Sequence, residues 1–313
     1  MDQPASGLGV SEEGALGLTS SRHFQLDYLP VPVHMSAYIT TLYHYRCEER
    51  DIRDVQPAAI GHLAIFPYGE GEMQFRNGSV DPSNAVNLLT PFSVAAPFMV
   101  KGPFHAIGAV LTPLGWASLT GLDASEHSNR LYRAADWLGE EVERFGLALC
   151  EGYRTGSISG PECASAICDF IGNNLKPVNA RHAKLIKIVN SWLSEELDPP
   201  LDKLFERAKY SQRQVQRLVE RYFGLPPQSL RRKYRALRAA GLLSLPMLTP
   251  EFEAKVREAF YDQSHMIREI RLFAGRTPAR LTDEESPFLA EMLDLRNFRE
   301  IASLGPDNQT PKG

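Results

Sequence analysis

The chain has 313 residues, with 34 Lys and Arg against 38 Asp and Glu and a formal net charge of −4. Its 43% hydrophobic and 23% charged residues are ordinary for a globular protein, and at roughly 100–200 residues per domain the length suggests two domains. No run of about 18 apolar residues exists, which excludes a membrane-spanning helix; the nearest stretch, 87–100, is broken by Thr90, Pro91, Ser93 and Pro97.

The start, Met1-Asp2-Gln3-Pro4 followed by Glu12 and Glu13, has neither the basic opening nor the apolar core of a signal peptide. Four cysteines are too few for a disulfide scaffold, so the expectation is a cytoplasmic protein with free thiols. The charge is unevenly placed. Residues 178–281 hold 20 Lys and Arg against 11 Asp and Glu, a net +9, which leaves −13 on the remainder. A basic module attached to an acidic one suggests that the basic part meets a polyanion.

In chain order, residues 1–20 are rich in Gly, Ser and Glu without periodicity and predict a disordered leader. From Phe24 to Pro113 short runs rich in branched and aromatic residues (Ala37–Tyr45, His62–Phe66, Glu72–Phe75, Ala106–Leu111) alternate with turn signals at Pro67-Tyr68-Gly69, Asn77-Gly78, Asp81-Pro82 and Lys101-Gly102-Pro103. This texture predicts a β-barrel or sandwich, cupin-like in character. Helices are predicted at Leu114–Leu119, Asn129–Cys150 and Cys163–Asn174. The fold class is therefore α+β: a β-rich domain with trailing helices over 21–177, followed by an all-α domain over 178–285. In the second domain Leu185, Ile186, Val189, Trp192 and Leu193 form a helical stripe, and Pro199-Pro200 ends that helix. Pro226-Pro227 opens a longer helix, Gln228–Leu243. In the tail, 286–313, the stripe Phe288, Leu289, Met292 and Leu293 predicts a further helix before a frayed end.

The second domain repeats itself at an offset of 51 residues. Ala208, Tyr210, Gln212, Arg217, Gly224, Pro227 and Leu230 match Ala259, Tyr261, Gln263, Arg268, Gly275, Pro278 and Leu281, which is 7 identities in the 23 positions 208–230. About one or two would be expected from average composition. Ser211 faces Asp262, and both are helix N-cap residues; Val215 and Val219 face Met266 and Ile270, so buried positions stay apolar. Each unit reads as a short helix, a tight turn and a capped helix ending at Gly, the plan of a helix-turn-helix whose second helix enters the DNA major groove. The outward faces carry Gln212, Arg213, Gln216 and Arg217 in the first unit and Gln263, Ser264, Ile267 and Arg268 in the second. Arg and Gln can bond bidentately to guanine and adenine edges, so these are candidate base contacts. Arg221, Arg231, Arg232, Lys233, Arg271 and Arg276 are candidate phosphate contacts.

These motifs resemble the DNA-binding domain of the AraC/XylS regulators. The first half is similar through Ser211-x3-Val215-x-Arg217-x-Val219-x4-Gly224-x2-Pro227 and Arg235-x3-Ala239-x2-Leu242-Leu243. The second is similar through Tyr261-Asp262-Gln263-Ser264-His265, Arg268 and Gly275-Arg276-Thr277-Pro278. The chain departs from the family pattern at Val219, Met266 and Ile270, where apolar character is kept. It also departs at Lys255 and Ala259, where the family usually has Ala and Gly. Upstream, His105–Leu122, with Leu111-Thr112-Pro113-Leu114-Gly115-Trp116, looks like the β-rich N-terminal domains of some of these regulators. The resemblance implies a bacterial-type transcription regulator that binds double-stranded promoter DNA, with an N-terminal domain that serves dimerisation or senses a small-molecule effector; a homodimer and a contact with RNA polymerase go with that expectation, as does the role of activator, with repressor as the open alternative.

The alternative reading is a cupin-type small-molecule or metal-binding protein, or enzyme, with a helical protein-interaction appendage. His34, His44, His62 and His105 lack the paired-His and Glu spacing of a metal cupin and read as structural. Cys47, Cys150, Cys163 and Cys168 show no zinc spacing and read as buried thiols. No phosphate loop or nucleophile elbow is present, so no catalytic residue, metal or cofactor is expected. Phe66, Tyr68, Phe75, Phe92, Phe98, Phe104 and Trp116 read mainly as core, any one of them able to line a pocket.

Overall fold

A computed structural model describes residues 24–245 and 249–281. The leader and the C-terminal stripe therefore lie outside the described residues. An N-terminal antiparallel sheet domain is followed by a helical region. The strands are β1 (Phe24–Leu29), β2 (Ile39–Cys47), β3 (Asp51–Gln56), β4 (His62–Gln74), β5 (Val80–Pro82), β6 (Val86–Leu89), β7 (Ala96–Leu111) and β8 (Leu131–Arg133). They form one sheet in the order β1-β2-β7-β4-β6-β8, with β3 paired to β7 and β5 to β4.

The long strand β7 organises the sheet. Its second half pairs with β2 (Tyr43↔Gly108), its first half with β3 (Asp54↔Phe98), and its other edge with β4 (Leu63↔Ala109). Three of the four turn signals in the sequence are therefore overruled. Asp81-Pro82 belongs to β5, paired with β4, and Lys101-Gly102-Pro103 lies inside the continuous strand β7. Pro67-Tyr68-Gly69 is a bulge inside β4, where the pairing slips on either side of Tyr68 and Gly69 takes φ +80°. Neighbouring strand edges on both sides satisfy the backbone groups that a turn would have used.

Period-two alternation divides the sheet into two faces. Leu42, Leu63, Ile65, Ile107, Ala109 and Leu111 face helices α3 (Glu140–Arg154) and α4 (Gly160–Asn173) and build the main core with Val142, Leu149, Ile167 and Ile171. Alternate residues, among them Tyr43, Phe98, Phe104 and Ala106, face a cavity inside the sheet. Helix α1 (Pro113–Thr120), capped by the Thr112 hydroxyl, seats the buried Trp116 against the same core.

The helix predicted over 129–150 is corrected by the structure. Leu131–Arg133 pairs with β6, because Asp81 accepts from the Leu131 N–H and holds the Arg130 guanidinium at 2.7 and 3.0 Å. A short helix α2 (Ala135–Leu138) follows, and Gly139 at φ +86° breaks it from α3.

The helical region comprises α5 (Ala180–Glu195), α6 (Leu201–Arg207), α7 (Gln212–Phe223), α8 (Pro227–Leu243), α9 (Pro250–Glu258) and α10 (Gln263–Ala274). One apolar cluster joins α5, α6 and α7 around Trp192 and Val215, and another joins α8, α9 and α10 around Leu237 and Ile270.

All four cysteines are free and buried, and burial pushes the Cys150 and Cys163 thiols up to about 11. A thiolate-directed reagent at pH 7 should therefore find almost no fast-reacting thiol in the native chain and four in denaturant. One fast thiol in the native state would contradict this packing.

Candidate nucleic-acid interface and the cavity beside it

The two repeated units have matching boundaries. Helices α7 and α10 start and end at the same 51-residue offset, as do the ends of α6 and α9. The Ser211 hydroxyl accepts from the Gln214 N–H at 3.3 Å, and the Gln214 side chain accepts in return from the Ser211 N–H at 3.2 Å. Asp262 accepts from the His265 N–H at 2.7 Å. Each helix ends at a left-handed glycine, Gly224 at φ +77° and Gly275 at φ +87°. The family departures at Lys255 and Ala259 do not distort the second unit. Lys255 is exposed on α9 and pairs with Glu251 at 2.7 Å, and Ala259 has an ordinary φ of −70° that needs no glycine.

Gln212, Arg213, Gln216 and Arg217 are all exposed along α7. On α10, Gln263, Ser264 and Arg268 are exposed and Ile267 is half-buried. The six basic residues assigned to phosphate do not share one situation. Arg221 and Arg271 are exposed. Arg231 pairs with Asp198 at 3.1 Å and Arg232 with Glu269 at 2.5 Å. Lys233 is buried, and its ammonium donates to the Ala59 and Phe92 carbonyls at 2.9 and 2.8 Å. Arg276 is also buried and paired with Asp54 of β3. In this arrangement Lys233 and Arg276 face the sheet domain, out of reach of a phosphate.

Glu269 was missed by sequence reasoning. It is 2% exposed and binds Arg235 at 2.6 Å, Arg232 at 2.5 Å and His265 at 3.2 Å, while Arg235 also reaches Asp198 at 2.9 Å. The repeat held the signal. Glu269 occupies the position of the buried Leu218 in the first copy, so a carboxylate was bound for an apolar site and required cations. Removing one partner leaves buried charge unmet, so Glu269→Leu should destabilise the chain by about 3 kcal/mol in urea unfolding, and Arg235→Met added to it should recover part of the loss. A loss below about 1 kcal/mol would show that the network is neutral to stability.

Both candidate reading helices end against the sheet domain. The last carbonyls of a helix have no partner within it. Here the Ala124 N–H donates to the Arg221 carbonyl at 2.7 Å, the Ala58 N–H to Phe273 at 2.8 Å and the Ala95 N–H to Leu272 at 3.0 Å. The connection between β6 and β7 reaches three helices of the module: Pro91 lies by Gly224 at the end of α7, Phe92 accepts from Lys233 of α8, and Ala95 meets α10. A Cβ on Gly275 would stand 2.4 Å from the Val55 side chain, so glycine serves both the turn and the contact.

Beside this contact the sheet borders a partly open cavity of about 140 Å³, with Lys233 and Tyr234 of α8 in its wall. Of the seven aromatics singled out, Phe66, Phe98 and Phe104 line it. Phe75 and Phe92 pack edge to face at 5.4 Å, Trp116 is core, and Tyr68 packs edge to face with His105 at 5.0 Å. The strand pairing brings His44 and His105 together on Tyr153, at 2.8 and 2.9 Å from its hydroxyl, and His105 continues to Glu48 at 3.1 Å. His34 stands apart in the turn before β2. Among the described residues no three His, Cys, Asp or Glu side chains are grouped to hold a metal.

His62 lines the cavity, and burial lowers its imidazole from 6.5 to about 4. A histidine depressed in the folded chain binds fewer protons than in the unfolded one. Its stabilisation is present above 6.5 and is lost as pH falls towards 4, by about 3 kcal/mol for this ring. His62→Gln should flatten the fall in urea-unfolding stability between pH 7 and 4.5. An unchanged slope would contradict the assignment.

No protein-family model matches the chain, and no curated protein matches it. Among solved structures it is similar to ToxT from Vibrio cholerae, at 10% identity and a TM-score of 0.44, over 84% of this chain and 98% of that one. ToxT of strain O395 bound to (E)-4-(8-methylnaphthalen-1-yl)but-3-enoic acid gives 10% identity and a TM-score of 0.45, over 84% and 100%. Unsaturated fatty acid-bound ToxT of strain SCE256 gives 8% and 0.44, over 84% and 96%.

Proposed function

We propose that the chain is a sequence-specific DNA-binding transcription regulator of AraC/XylS type. Residues 178–285 form its DNA-binding domain and residues 21–177 a sensor domain. The observation that carries this reading is the pair of capped 12-residue helices, α7 and α10, each the second helix of a duplicated unit and each with an exposed Gln- and Arg-bearing face. Held in one chain, they reach successive major-groove segments on one side of the duplex, about 34 Å apart. Gln212, Arg213, Gln216 and Arg217 read the first segment; Gln263, Ser264 and Arg268 read the second, with Ile267 offering an apolar contact to a thymine methyl. Arg221 and Arg271 supply exposed phosphate contacts.

The sensor reading rests on the cavity and on the contact it shares with the helical module. Ala58 and Ala59 line the cavity and also bind α10 and Lys233 of α8. An effector in the cavity therefore presses on the same backbone that orients the reading helices, and it shifts DNA affinity through its differential fit to the docked and undocked arrangements.

Arg217→Ala should cost about 1–3 kcal/mol on a selected duplex and relax preference at one base pair, whereas Arg221→Ala should weaken all duplexes alike and reduce the salt slope by about one. Electrophoretic shifts on selected and scrambled duplexes at two salt concentrations measure both. Equal losses on both duplexes for Arg217→Ala would contradict direct readout by α7.

A further inference from the structure

The cavity wall carries one polar group that the fold leaves unmet. Gln56, in β3, is 7% exposed and lines the cavity, and its amide nitrogen Nε2 is buried without a hydrogen-bond partner among the described residues. Native interiors leave few such groups unsatisfied, and each one asks for a ligand or a water. A carboxamide can turn over to present either its oxygen or its nitrogen, so it suits a group that donates, accepts or does both.

Lys233 lies in the wall with its ammonium already bonded to two carbonyls, while Glu72 pairs with Met99 on the other face of the sheet from Met73 and Phe98. Burial keeps His62 neutral and raises the Tyr43 hydroxyl above its ordinary range, so it stays protonated. A charged group would lose its hydration against a wall that is almost wholly apolar, where the Lys233 ammonium is already committed to two carbonyls. The remaining wall is mostly aromatic and aliphatic, with Phe66, Phe98 and Phe104 prominent. A volume of about 140 Å³ is close to that of an engineered apolar cavity that accepts benzene.

We propose that this cavity binds an uncharged, mainly apolar molecule about the size of one substituted ring, whose single amide, carbonyl or hydroxyl group pairs with Gln56. The assignment rests on the reading of the sheet domain as the sensor and adds to it the chemistry of the ligand. The commitment of the Lys233 ammonium to the Ala59 and Phe92 carbonyls distinguishes it from recognition of a carboxylate by that residue.

Titration calorimetry of the full chain with three probes of similar shape tests it: benzamide, benzoate and isopropylbenzene. Benzamide should bind about tenfold more tightly than benzoate and about fivefold more tightly than isopropylbenzene. Gln56→Leu should remove the margin over isopropylbenzene while leaving isopropylbenzene within about twofold. Ala106→Phe, which fills the cavity from β7, should abolish both, with cooperative thermal unfolding of each variant checking the fold. Benzoate binding as tightly as benzamide, a benzamide margin that survives Gln56→Leu, or no binding by any probe would each overturn the proposal. The measurement contains no DNA, so a failure of the regulator reading would leave it standing, and its own failure would leave DNA binding untouched.

Discussion

A cation withdrawn from water must be met by oxygen atoms, and this requirement sets the relation between the sheet and the helices. Lys233 and Arg276 belong to the helical region, yet the oxygens that meet them are the Ala59 and Phe92 carbonyls and the Asp54 carboxylate of the sheet domain. Burial alone pushes Asp54 towards protonation, against the pull of Arg276. Around these charges the free carbonyls at the ends of α7 and α10 are satisfied by Ala124, Ala58 and Ala95. The docked arrangement thus exchanges hydration for fixed partners at several points at once. Three of these points, by Gly224, at Lys233 and at Leu272, fall on the single connection between β6 and β7, and the others lie on β3, on the loop after it and on the loop after α1.

The two copies of the repeated unit solve the same packing problem differently. In the first, Leu218 and Val215 close an apolar core around Trp192, whose indole N–H finds the Pro200 carbonyl at 2.8 Å. In the second, Glu269 takes the place of Leu218 and draws Arg232, Arg235 and His265 around itself. The network ties α10 to α8 more directionally than hydrocarbon contact does, since ion pairs require geometry as well as proximity. It also pairs Arg232, still partly exposed, with the Glu269 carboxylate, so the unpaired positive charge near α10 is smaller than the sequence total suggests.

What was legible in the sequence was local or repeated. The 51-residue offset carried the boundaries of α7 and α10, and Ser211, Asp262, Gly224 and Gly275 marked their ends through the needs of unpaired backbone groups. The sheet texture followed from runs of branched and aromatic residues between turn signals, whereas the division into cavity-facing and helix-facing residues emerged only with the strand pairing. What was not legible depended on contacts distant in sequence. Leu131–Arg133 looked helical until Asp81, fifty residues earlier, claimed the Leu131 N–H and the Arg130 side chain. Pro67-Tyr68-Gly69 looked like a turn because local rules do not see the strands on either side of β4. Lys233 and Arg276 looked like surface cations because nothing in their helical spacing reveals that a second domain covers them. Gln56 gave no local signal: its meaning comes from a cavity that exists only after β3, β4 and β7 are paired.

The central claim is that one chain carries two working reading helices set about one helical turn of DNA apart. Selection of bound duplexes from a random library with the full chain, with affinities of the recovered sequences at two salt concentrations, tests it most directly. The account predicts a motif of two blocks centred about 10 base pairs apart, with affinity falling steeply as salt rises. Recovery of a single block would remove α10 from the reading. No enrichment over random sequence would contradict the regulator assignment itself.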